Sequence, residues 1–329
     1  MPEAEADRRL SGDRSDADAM AAKGDHRLLN GDHRGASAFY ETALGLLQQR
    51  GRGGGVLAGR VAENIGWLHR RFGDHLVDSL SAAGFPRGDW HPRFARALAI
   101  MQGHARREPT PAAFPQMPLA FYYPGLPLVE YAPRDAFAWA DAIEAQTDAI
   151  RAEGERLLGE TGGFDAYVKR IDDRPQGDVH GMLDNRDWTS FELTRRGEFV
   201  PERTALCPVT EATLSEHAPL CRIAGRAPTP MFSLLAAGRR IPPHTGMLNT
   251  RFVCHLPLIV PGGGGLRVGA TTRGWEVGRL MLFDDTVEHE AWNDADEDRL
   301  VLIFDVWRPE LEQAERAQIQ ALFAAVDSY

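Results

Sequence analysis

The chain has 329 residues, of which 43% are hydrophobic, so it can bury the core of one large domain or of two ordinary ones. Its formal net charge of −10 argues against nucleic acid or an anionic membrane as the main partner. The acidic start has no apolar signal segment, the three cysteines form no disulfide framework, and no run reaches the roughly 18 apolar residues of a membrane span, so we expect a cytoplasmic protein.

The first third of the chain is predicted to be helical. Residues 1–20 are charged and poor in aromatic residues, which favours a mobile tail. Residues 21–110 follow with a helical pattern, clearest where apolar residues recur at spacings of three and four: Ala36, Phe39, Tyr40, Ala43, Leu44 and Leu47. This segment resembles one tetratricopeptide-type helical hairpin, and a solenoid needs about three such units. An ordinary helical cap is therefore favoured, while a partner protein bound by these helices stays an alternative.

A proline-rich stretch separates this region from the rest of the chain. Because proline cannot continue a helix, we place a domain boundary near residues 105–117 and assign residues 111–329 to a second domain. A helix is then predicted across residues 135–158, which carry an apolar stripe: Phe137, Ala140, Ile143, Ile150 and Leu157.

From Asp184 onward the sequence predicts strands. Segments beginning at Asp184, Cys207 and Thr229 have strand character, with turn residues between them. Eight or so such strands are typical of an antiparallel jelly roll, whose core we place at about residues 180–310. The glycines at 262–265 predict a hairpin or a loop that switches the chain between sheets. They do not form a phosphate-binding loop, because no G-K-[ST] follows and no helix begins after them.

Two histidines and an arginine are the candidate functional residues of this region. His244 and His289 are 45 residues apart, and each borders a segment rich in Val, Leu, Ile and Phe. A histidine pair on two strands of one barrel can hold non-haem iron, since imidazole suits Fe(II). Alternation along the last strand places Arg299 on one face with Val301 and Ile303. A guanidinium among apolar neighbours is costly unless it meets an anion, so we expect a carboxylate ligand there.

Three sequence blocks carry a family resemblance. They are H-T-G-x-x-N-x-R-x-x-x-H-L from His244, F-D-D-x-x-x-H-E-x-W-N from Phe283, and an arginine ten residues beyond the second histidine. In combination they resemble the aspartyl/asparaginyl β-hydroxylase family of Fe(II)- and 2-oxoglutarate-dependent dioxygenases, over residues 115–311. The resemblance implies an α+β fold, with a C-terminal double-stranded β-helix (a cupin-like jelly roll) after an N-terminal helical region. It implies Fe(II), 2-oxoglutarate and O2 as cofactors.

The resemblance makes His244 and His289 the iron ligands. Most enzymes of this chemistry complete a 2-His-1-carboxylate face with an Asp or Glu two residues after the first histidine. Here Gly246 stands at that place, and the resembling family likewise has only two histidine ligands. Asp285 is then a candidate catalytic carboxylate that hydrogen-bonds an iron-bound water, with a plain strand-end role as the alternative.

The resemblance also assigns the co-substrate site. Arg299 matches the arginine that binds the distal carboxylate of 2-oxoglutarate, Ser233 matches a serine that hydrogen-bonds the same carboxylate, and His255 matches a co-substrate-binding histidine. Val253 departs from relatives that have arginine there, which puts the affinity for the co-substrate in doubt. Arg251, on the same strand face as His255, is a candidate to compensate. Among the remaining residues, Trp188, Trp292 and Trp307 are interpreted as core or rim aromatics, and His180 and His217 as surface residues.

The sequence therefore predicts a dioxygenase that hydroxylates a carbon and converts 2-oxoglutarate to succinate. The resemblance implies the β-carbon of an Asp or Asn residue, so the expected substrate is a peptide or small molecule bearing such a group. Two alternatives stay open. One is a halogenase of the same cofactor class, with a halide in the ligand place that Gly246 leaves vacant. The other is an inactive jelly-roll binding protein.

Overall fold

The computed structural model describes residues 1–159, 163–170, 175 and 181–329, so the interpretation of His180 lies outside the described residues. The chain divides into two compact units. Of the described residues, the first unit contains 1–86, 170, 175 and 325–329, and the second contains 87–159, 163–169 and 181–324. The division at residue 86 precedes the proline-rich stretch where the boundary was expected.

The first unit is helical in its described part. Its helices are α1 (Glu3–Gly12), α2 (Ala17–Leu29), α3 (His33–Gln49) and α4 (Val56–Ala82). The side chains of Asp16 and Asp32 cap α2 and α3 by accepting backbone N–H bonds. Gly24 lets α2 approach α3, because a Cβ at this position would lie 2.5 Å from the Tyr40 ring. Tyr40 belongs to the predicted apolar stripe of α3, which is buried except at half-buried Leu44.

The mobile tail expected for residues 1–20 is wrong, because these residues form α1 and the start of α2. Ala6 is fully buried and packs with small residues of α2. The Lys23 ammonium lies 3.0 Å from the Glu3 carboxylate and 2.8 Å from that of Asp7. Because α1 is buried through alanines and paired charges, its composition is the same as that of a charged, mobile tail. Composition alone therefore does not distinguish a packed helix from a free tail.

In its described residues the second unit contains helices and three antiparallel sheets. Its helices are α5 (Pro92–Met101), α6 (Trp139–Glu144), α7 (Thr147–Gly159), α8 (Pro201–Thr204), α9 (Pro208–His217) and most of α10 (Gln313–Asp327). Its strands are β1 (Tyr131–Ala132), β2 (Asp165–Ala166), β3 (Trp188–Glu192), β4 (Thr194–Arg195), β5 (Glu198–Phe199), β6 (Met231–Leu235), β7 (Arg240–His244), β8 (Arg251–Ile259), β9 (Gly264–Val268), β10 (Thr271–Arg273), β11 (Met281–Phe283), β12 (His289–Asn293) and β13 (Arg299–Trp307). Among all described residues, no helix combines the length and apolar character needed to cross a bilayer.

Two of the sheets build the jelly roll. The larger has the strand order β1-β11-β8-β13-β6-β3-β2, the smaller has the order β10-β9-β12-β7, and β4 pairs with β5 in a separate ribbon. Residues 260–263 join β8 of the larger sheet to β9 of the smaller one, which begins at Gly264, so the glycine run lies at a connection that switches sheets as predicted. These antiparallel sheets and the helical N-terminal region confirm the expected α+β fold with a C-terminal double-stranded β-helix.

Alternate residues of each long strand in the larger sheet pack into two different cores, one on either face of the sheet. One face packs against α6, α7 and α9, with residues such as Leu302, Phe304 and Cys254. The opposite face packs against the smaller sheet, with Val301 and Ile303 beside apolar residues of β7, β9 and β12. The interior between the two sheets therefore receives the face on which Arg299 was predicted to lie.

Two secondary-structure predictions need correction. The segment from Cys207, expected as a strand, is helix α9, which begins at Pro208. Glu153 of α7 accepts the N–H groups of Val209 and Thr210 at 2.8 and 2.9 Å, so a distant carboxylate caps the helix. The single helix expected over residues 135–158 is divided into α6 and α7, although its apolar stripe faces the core as predicted.

Candidate active site

The two candidate iron ligands face each other across one strand pair. His244 ends β7 and His289 begins β12, and the two are Cα partners in the antiparallel ladder. Their ring centroids are 4.1 Å apart with an interplanar angle of 52°. Directly opposed residues of an antiparallel pair project their side chains to the same side, which brings both imidazoles together inside the barrel.

The hydrogen bonds of both rings favour metal binding. The Nδ1 atom of His244 lies 2.8 Å from the Pro242 carbonyl oxygen, and that of His289 lies 3.0 Å from the Val287 carbonyl oxygen. A carbonyl can only accept, so Nδ1 carries the proton in each neutral ring and Nε2 carries the lone pair. Burial, and then the neighbouring His244, lowers the pKa of His289 to about 3, which keeps this ring neutral. Imidazoles whose Nε2 atoms carry the lone pair are suitable ligands for Fe(II).

Asp285 occupies the space beside Gly246. A Cβ at Gly246 would lie 1.9 Å from the Asp285 Oδ2 atom, and the Gly246 N–H donates to the Asp285 carbonyl at 2.6 Å. A carboxylate thus reaches this place from the β11–β12 connection instead of from the second residue after the first histidine. Burial raises the pKa of Asp285 to about 7, although the charge of Arg251 opposes the shift. No group of three or more potential His, Cys, Asp or Glu ligands is found in the described chain.

Arg251 is held between two carboxylates. Its Nη2 atom lies 3.0 Å from Asp285 Oδ2, and its Nη1 atom donates to Asp305. Asp305 is fixed in turn by the N–H and hydroxyl of Thr229, both at 2.6 Å. The predicted parity holds, since Arg251 and His255 share the interior face while Cys254 is buried on the other. These contacts indicate that Arg251 holds the Asp285 carboxylate in position. The role of Arg251 toward the co-substrate stays a prediction.

Arg299 is a buried cation with unused donors. Its side chain is 1% exposed, and its Nε and Nη1 atoms find no hydrogen-bond partner among the described residues. Burial lowers the pKa of the guanidinium to about 9, so it stays charged at neutral pH. Leaving such donors unpaired is unfavourable unless a ligand meets them, and a carboxylate matches their planar geometry.

His255 and Ser233 line the same interior. The Nδ1 atom of His255 is buried and unpaired within the described structure. Burial, and then the charge of Arg299, holds the pKa of His255 well below its ordinary value of 6.5. His289 and His244 also contribute to lowering this pKa, so all three side chains lie within electrostatic reach of His255. Ser233 is fully buried on β6, opposite Val301 of β13, two residues from Arg299.

Three residues near the site were not predicted to take part in it. Trp188, interpreted as a core or rim aromatic, donates from Nε1 to the Ser233 hydroxyl at 3.0 Å and lies 6.1 Å from the His244 ring. Ser190 is the Cα partner of Ser233, and its buried hydroxyl has no partner in the described residues. The third is Trp275, whose ring lies 4.4 Å from the Arg299 guanidinium carbon. Trp188 and Ser190 could have been identified from the sequence, because alternate residues of a strand share a face and β3 pairs with the strand of Ser233. No sequence pattern marks Trp275.

Comparisons with known proteins agree with the sequence blocks. A family model described as aspartyl/asparaginyl beta-hydroxylase matches residues 144–309. The chain is 31% identical over 217 residues to aspartate beta-hydroxylase domain-containing protein 2 of Rattus norvegicus, covering 64% of this chain and 60% of that protein. It is 36% identical over 142 residues to the aspartyl/asparaginyl beta-hydroxylase of Homo sapiens, covering 43% and 18% of the two chains.

Other matches extend to a lipid enzyme and to barrel structures. The chain is 33% identical over 176 residues to the ornithine lipid ester-linked acyl 2-hydroxylase of Rhizobium tropici, covering 53% of this chain and 58% of that one. It therefore spans at most 60% of the length of these three relatives. A solved cupin 2 conserved barrel domain protein from Salinispora arenicola matches with a TM-score of 0.25 and 12% identity, over 43% of this chain and 86% of that one.

Proposed function

The chain belongs to the aspartyl/asparaginyl β-hydroxylase family, and on this premise we propose that it is an Fe(II)- and 2-oxoglutarate-dependent dioxygenase. The proposed reaction is hydroxylation of a carbon, taken to be the β-carbon of an Asp or Asn residue or of a related small molecule. When bound, iron and 2-oxoglutarate would supply the activation of O2, with release of succinate and CO2.

One observation carries the proposal. Two opposed imidazoles and a buried guanidinium with unused donors lie in the same interior between the sheets. His244 and His289 would hold the metal through Nε2, with their rings fixed by the Nδ1 hydrogen bonds. Arg299 would bind the distal carboxylate of 2-oxoglutarate, assisted by the Ser233 hydroxyl. The neutral His255 would offer a ring N–H to the same co-substrate.

Asp285 favours hydroxylation over halogenation. A halide ligand needs free space beside the residue that replaces the usual carboxylate. Here the Asp285 carboxyl group already lies there, since a Cβ at Gly246 would meet it at 1.9 Å. The unpaired buried groups of Arg299 and His255 cost stability unless a polar ligand meets them, which supports binding of the co-substrate in this interior.

A second substrate class is supported by an exposed apolar strip beside the site. The Met117 N–H donates to the Thr286 carbonyl at 2.7 Å, and the Leu119 N–H donates to the Gly246 carbonyl at 2.9 Å. The side chains of Met117, Leu119 and Met247 are 54%, 70% and 45% exposed. Exposed apolar surface at a site commonly contacts an apolar ligand. An acyl chain is therefore the second candidate substrate, the class named for the Rhizobium tropici relative.

Anaerobic spectroscopy tests the cofactor assignment. Fe(II) and 2-oxoglutarate together should give a weak visible metal-to-ligand charge-transfer band, which His244→Ala should abolish. His217→Ala, at the end of α9, is the matched control and should retain the band. A wild-type protein that shows no band under these conditions would contradict the proposal. A band that changes with chloride would support the halogenase instead.

Turnover assays test the substrate class. Succinate release and mass spectrometry should detect addition of one oxygen atom to one member of a panel of Asp- and Asn-containing peptides, free amino acids and acyl lipids. Oxidation of the peptides supports β-hydroxylation of Asp or Asn, and oxidation of the lipids alone supports the acyl candidate. Succinate production with no oxidised member would exclude both substrate classes.

A further inference from the structure

The loop between β10 and β11 places the Trp275 indole close to two proposed co-substrate ligands, Arg299 and His255. The Trp275 ring lies 4.4 Å from the Arg299 guanidinium carbon. On the His255 side, the ring centroids are 6.0 Å apart and nearly parallel, with an interplanar angle of 16°. The indole Nε1 donates to the Trp292 carbonyl of β12 at 3.4 Å. Trp275 is half-buried, so it lies at the border between this interior and solvent.

Backbone contacts hold this loop to the barrel. The Gly278 N–H donates to the Pro257 carbonyl of β8 at 2.9 Å, and Gly278 has a φ of +76°, which favours glycine. Two residues on, the Leu280 N–H donates to the Glu144 carboxylate at 2.8 Å. The loop is thereby attached to the larger sheet, while Trp275 also reaches β12 of the smaller one. The position of the indole is therefore set by the fold of the barrel.

Arg299 benefits from such a neighbour because its Nε and Nη1 atoms find no hydrogen-bond partner among the described residues. On β8, the interior position two residues before His255 is Val253, an apolar side chain that is 7% exposed. The guanidinium of Arg251 lies toward the other end of the same strand pair, opposite Trp307, and is already paired with Asp285 and Asp305. An aromatic face attracts a cation, and the attraction increases when water is excluded. The indole can thus hold the guanidinium of Arg299 without occupying the N–H groups of that guanidinium.

We propose that Trp275 is a positioning residue for the dicarboxylate co-substrate, holding Arg299 and His255 in place and closing their pocket to water. This inference rests on the proposed function. The Trp275 ring covers one face of the guanidinium, and the unpaired Nε and Nη1 edge stays available to a carboxylate. Excluding water from that edge strengthens its hydrogen bonds to the carboxylate.

Calorimetry on Mn(II)-loaded protein under argon tests this role without turnover. Titration with 2-oxoglutarate should give a Kd for Trp275→Leu that is about tenfold or more weaker than for the wild type, because a desolvated cation–π contact is lost. Trp275→Phe keeps an aromatic face and should stay within about threefold of the wild type. The matched control is Trp67→Leu, a tryptophan of the first unit that lies 5.6 Å from the Arg71 guanidinium carbon and should not change the Kd.

The pattern across ligands separates positioning from general damage to the fold. The Mn(II) affinity, the KM for the oxidised substrate and kcat at saturating 2-oxoglutarate should stay close to wild type in Trp275→Leu, while the KM for 2-oxoglutarate rises. Trp275→Met, with a more adaptable apolar side chain, replaces the leucine variant if that variant does not fold. Unchanged 2-oxoglutarate binding in a folded Leu or Met variant overturns the inference, as does equal weakening in the Phe variant. A wild-type protein that does not bind 2-oxoglutarate contradicts the proposed function itself.

Discussion

Two buried arginines stand at opposite ends of β13, and their surroundings differ. Arg308, directly after the strand, is fully buried and donates to Asp284 at 2.9 Å, to Glu310 at 3.1 Å and to the Pro127 carbonyl at 2.8 Å. Arg299, at the start of the strand, is equally buried, but its Nε and Nη1 atoms have no partner in the described chain. Both cations lie against an aromatic ring at 4.4 Å, so aromatic contact does not distinguish them.

The difference shows how one strand can serve both stability and ligand binding. A buried charge is tolerated when carboxylates and carbonyls replace its hydration, as they do around Arg308. A buried guanidinium without that replacement lowers stability, and such groups cluster at functional sites. We infer that Arg308 stabilises the fold and that Arg299 is reserved for an anionic ligand. The predictions below test this contrast by removing one charge at a time.

The largest expected effect comes from Arg299→Met. Two charge-assisted hydrogen bonds to the co-substrate carboxylate would be lost, which should weaken 2-oxoglutarate binding by about 10³-fold. The free energy of unfolding should stay unchanged or rise, because a buried unpaired charge is replaced by an apolar side chain. Calorimetry with 2-oxoglutarate and urea unfolding of the same sample check both parts. Weak 2-oxoglutarate binding combined with a large loss of stability would show that Arg299 is structural.

Arg308→Met should have the opposite profile. It leaves the Asp284 carboxylate buried without its cation, so the free energy of unfolding should fall by about 3 kcal/mol. The folded fraction should still bind 2-oxoglutarate with a Kd within about threefold of the wild type, since Arg308 is not among the proposed ligands. Urea unfolding gives the first quantity and calorimetry below the transition gives the second. If the variant were as stable as the wild type, the structural assignment of Arg308 would be wrong.

Asp285→Asn should produce a smaller and more local effect. The amide keeps the volume beside Gly246 but removes the negative charge next to Arg251. Loss of a carboxylate that orients a metal site from outside its ligand set typically costs 10–100-fold in metal affinity or activity. We therefore expect the Mn(II) affinity to fall by a factor in this range. A competition assay with a metallochromic dye measures it. Asp305→Asn, at the other end of Arg251, is the comparison variant and should weaken metal binding less.

Much of this arrangement was predictable from residue parity. The alternation along β8 and β13 correctly placed Arg299, Arg251 and His255 on the interior face, because a strand has only two faces. The pairing of His244 with His289 required family blocks, since spacing alone does not fix which strands meet. Trp275 could not be predicted because a loop side chain is positioned by tertiary contacts such as the Gly278–Pro257 hydrogen bond.

The wrong predictions have a common physical cause. Helix α9 was expected as a strand because its residues have strand propensity, whereas its start is stabilised by Glu153, 56 residues earlier. Helix α1 was expected as a mobile tail because its burial uses alanine and paired charges. In both cases a tertiary contact outweighs local composition, and sequence periodicity does not report such contacts.

The smallest expected effect concerns a paired charge outside the strand, Glu315 of α10. Burial would raise the pKa of its carboxyl group, but hydrogen bonds from Arg93 and Tyr123 outweigh burial and hold the pKa below the ordinary value of 4.5. A lowered folded-state pKa contributes stability that is present above the unfolded pKa and is lost as the pH falls through the folded pKa. Glu315→Gln should therefore cost about 1.5 kcal/mol at pH 7 and flatten the loss of stability below about pH 4.5.

Urea unfolding between pH 7 and pH 3 measures this effect, with exposed Glu202→Gln as a control that keeps the wild-type profile. Like Arg308, Arg93 uses its donors on the protein, at 2.6 and 2.8 Å from the Glu315 carboxylate oxygens. Loss of this pair should change the pH dependence of stability and leave 2-oxoglutarate binding intact at neutral pH. If Glu315→Gln weakened 2-oxoglutarate binding as strongly as Arg299→Met, paired and unpaired charges could not be assigned separate roles.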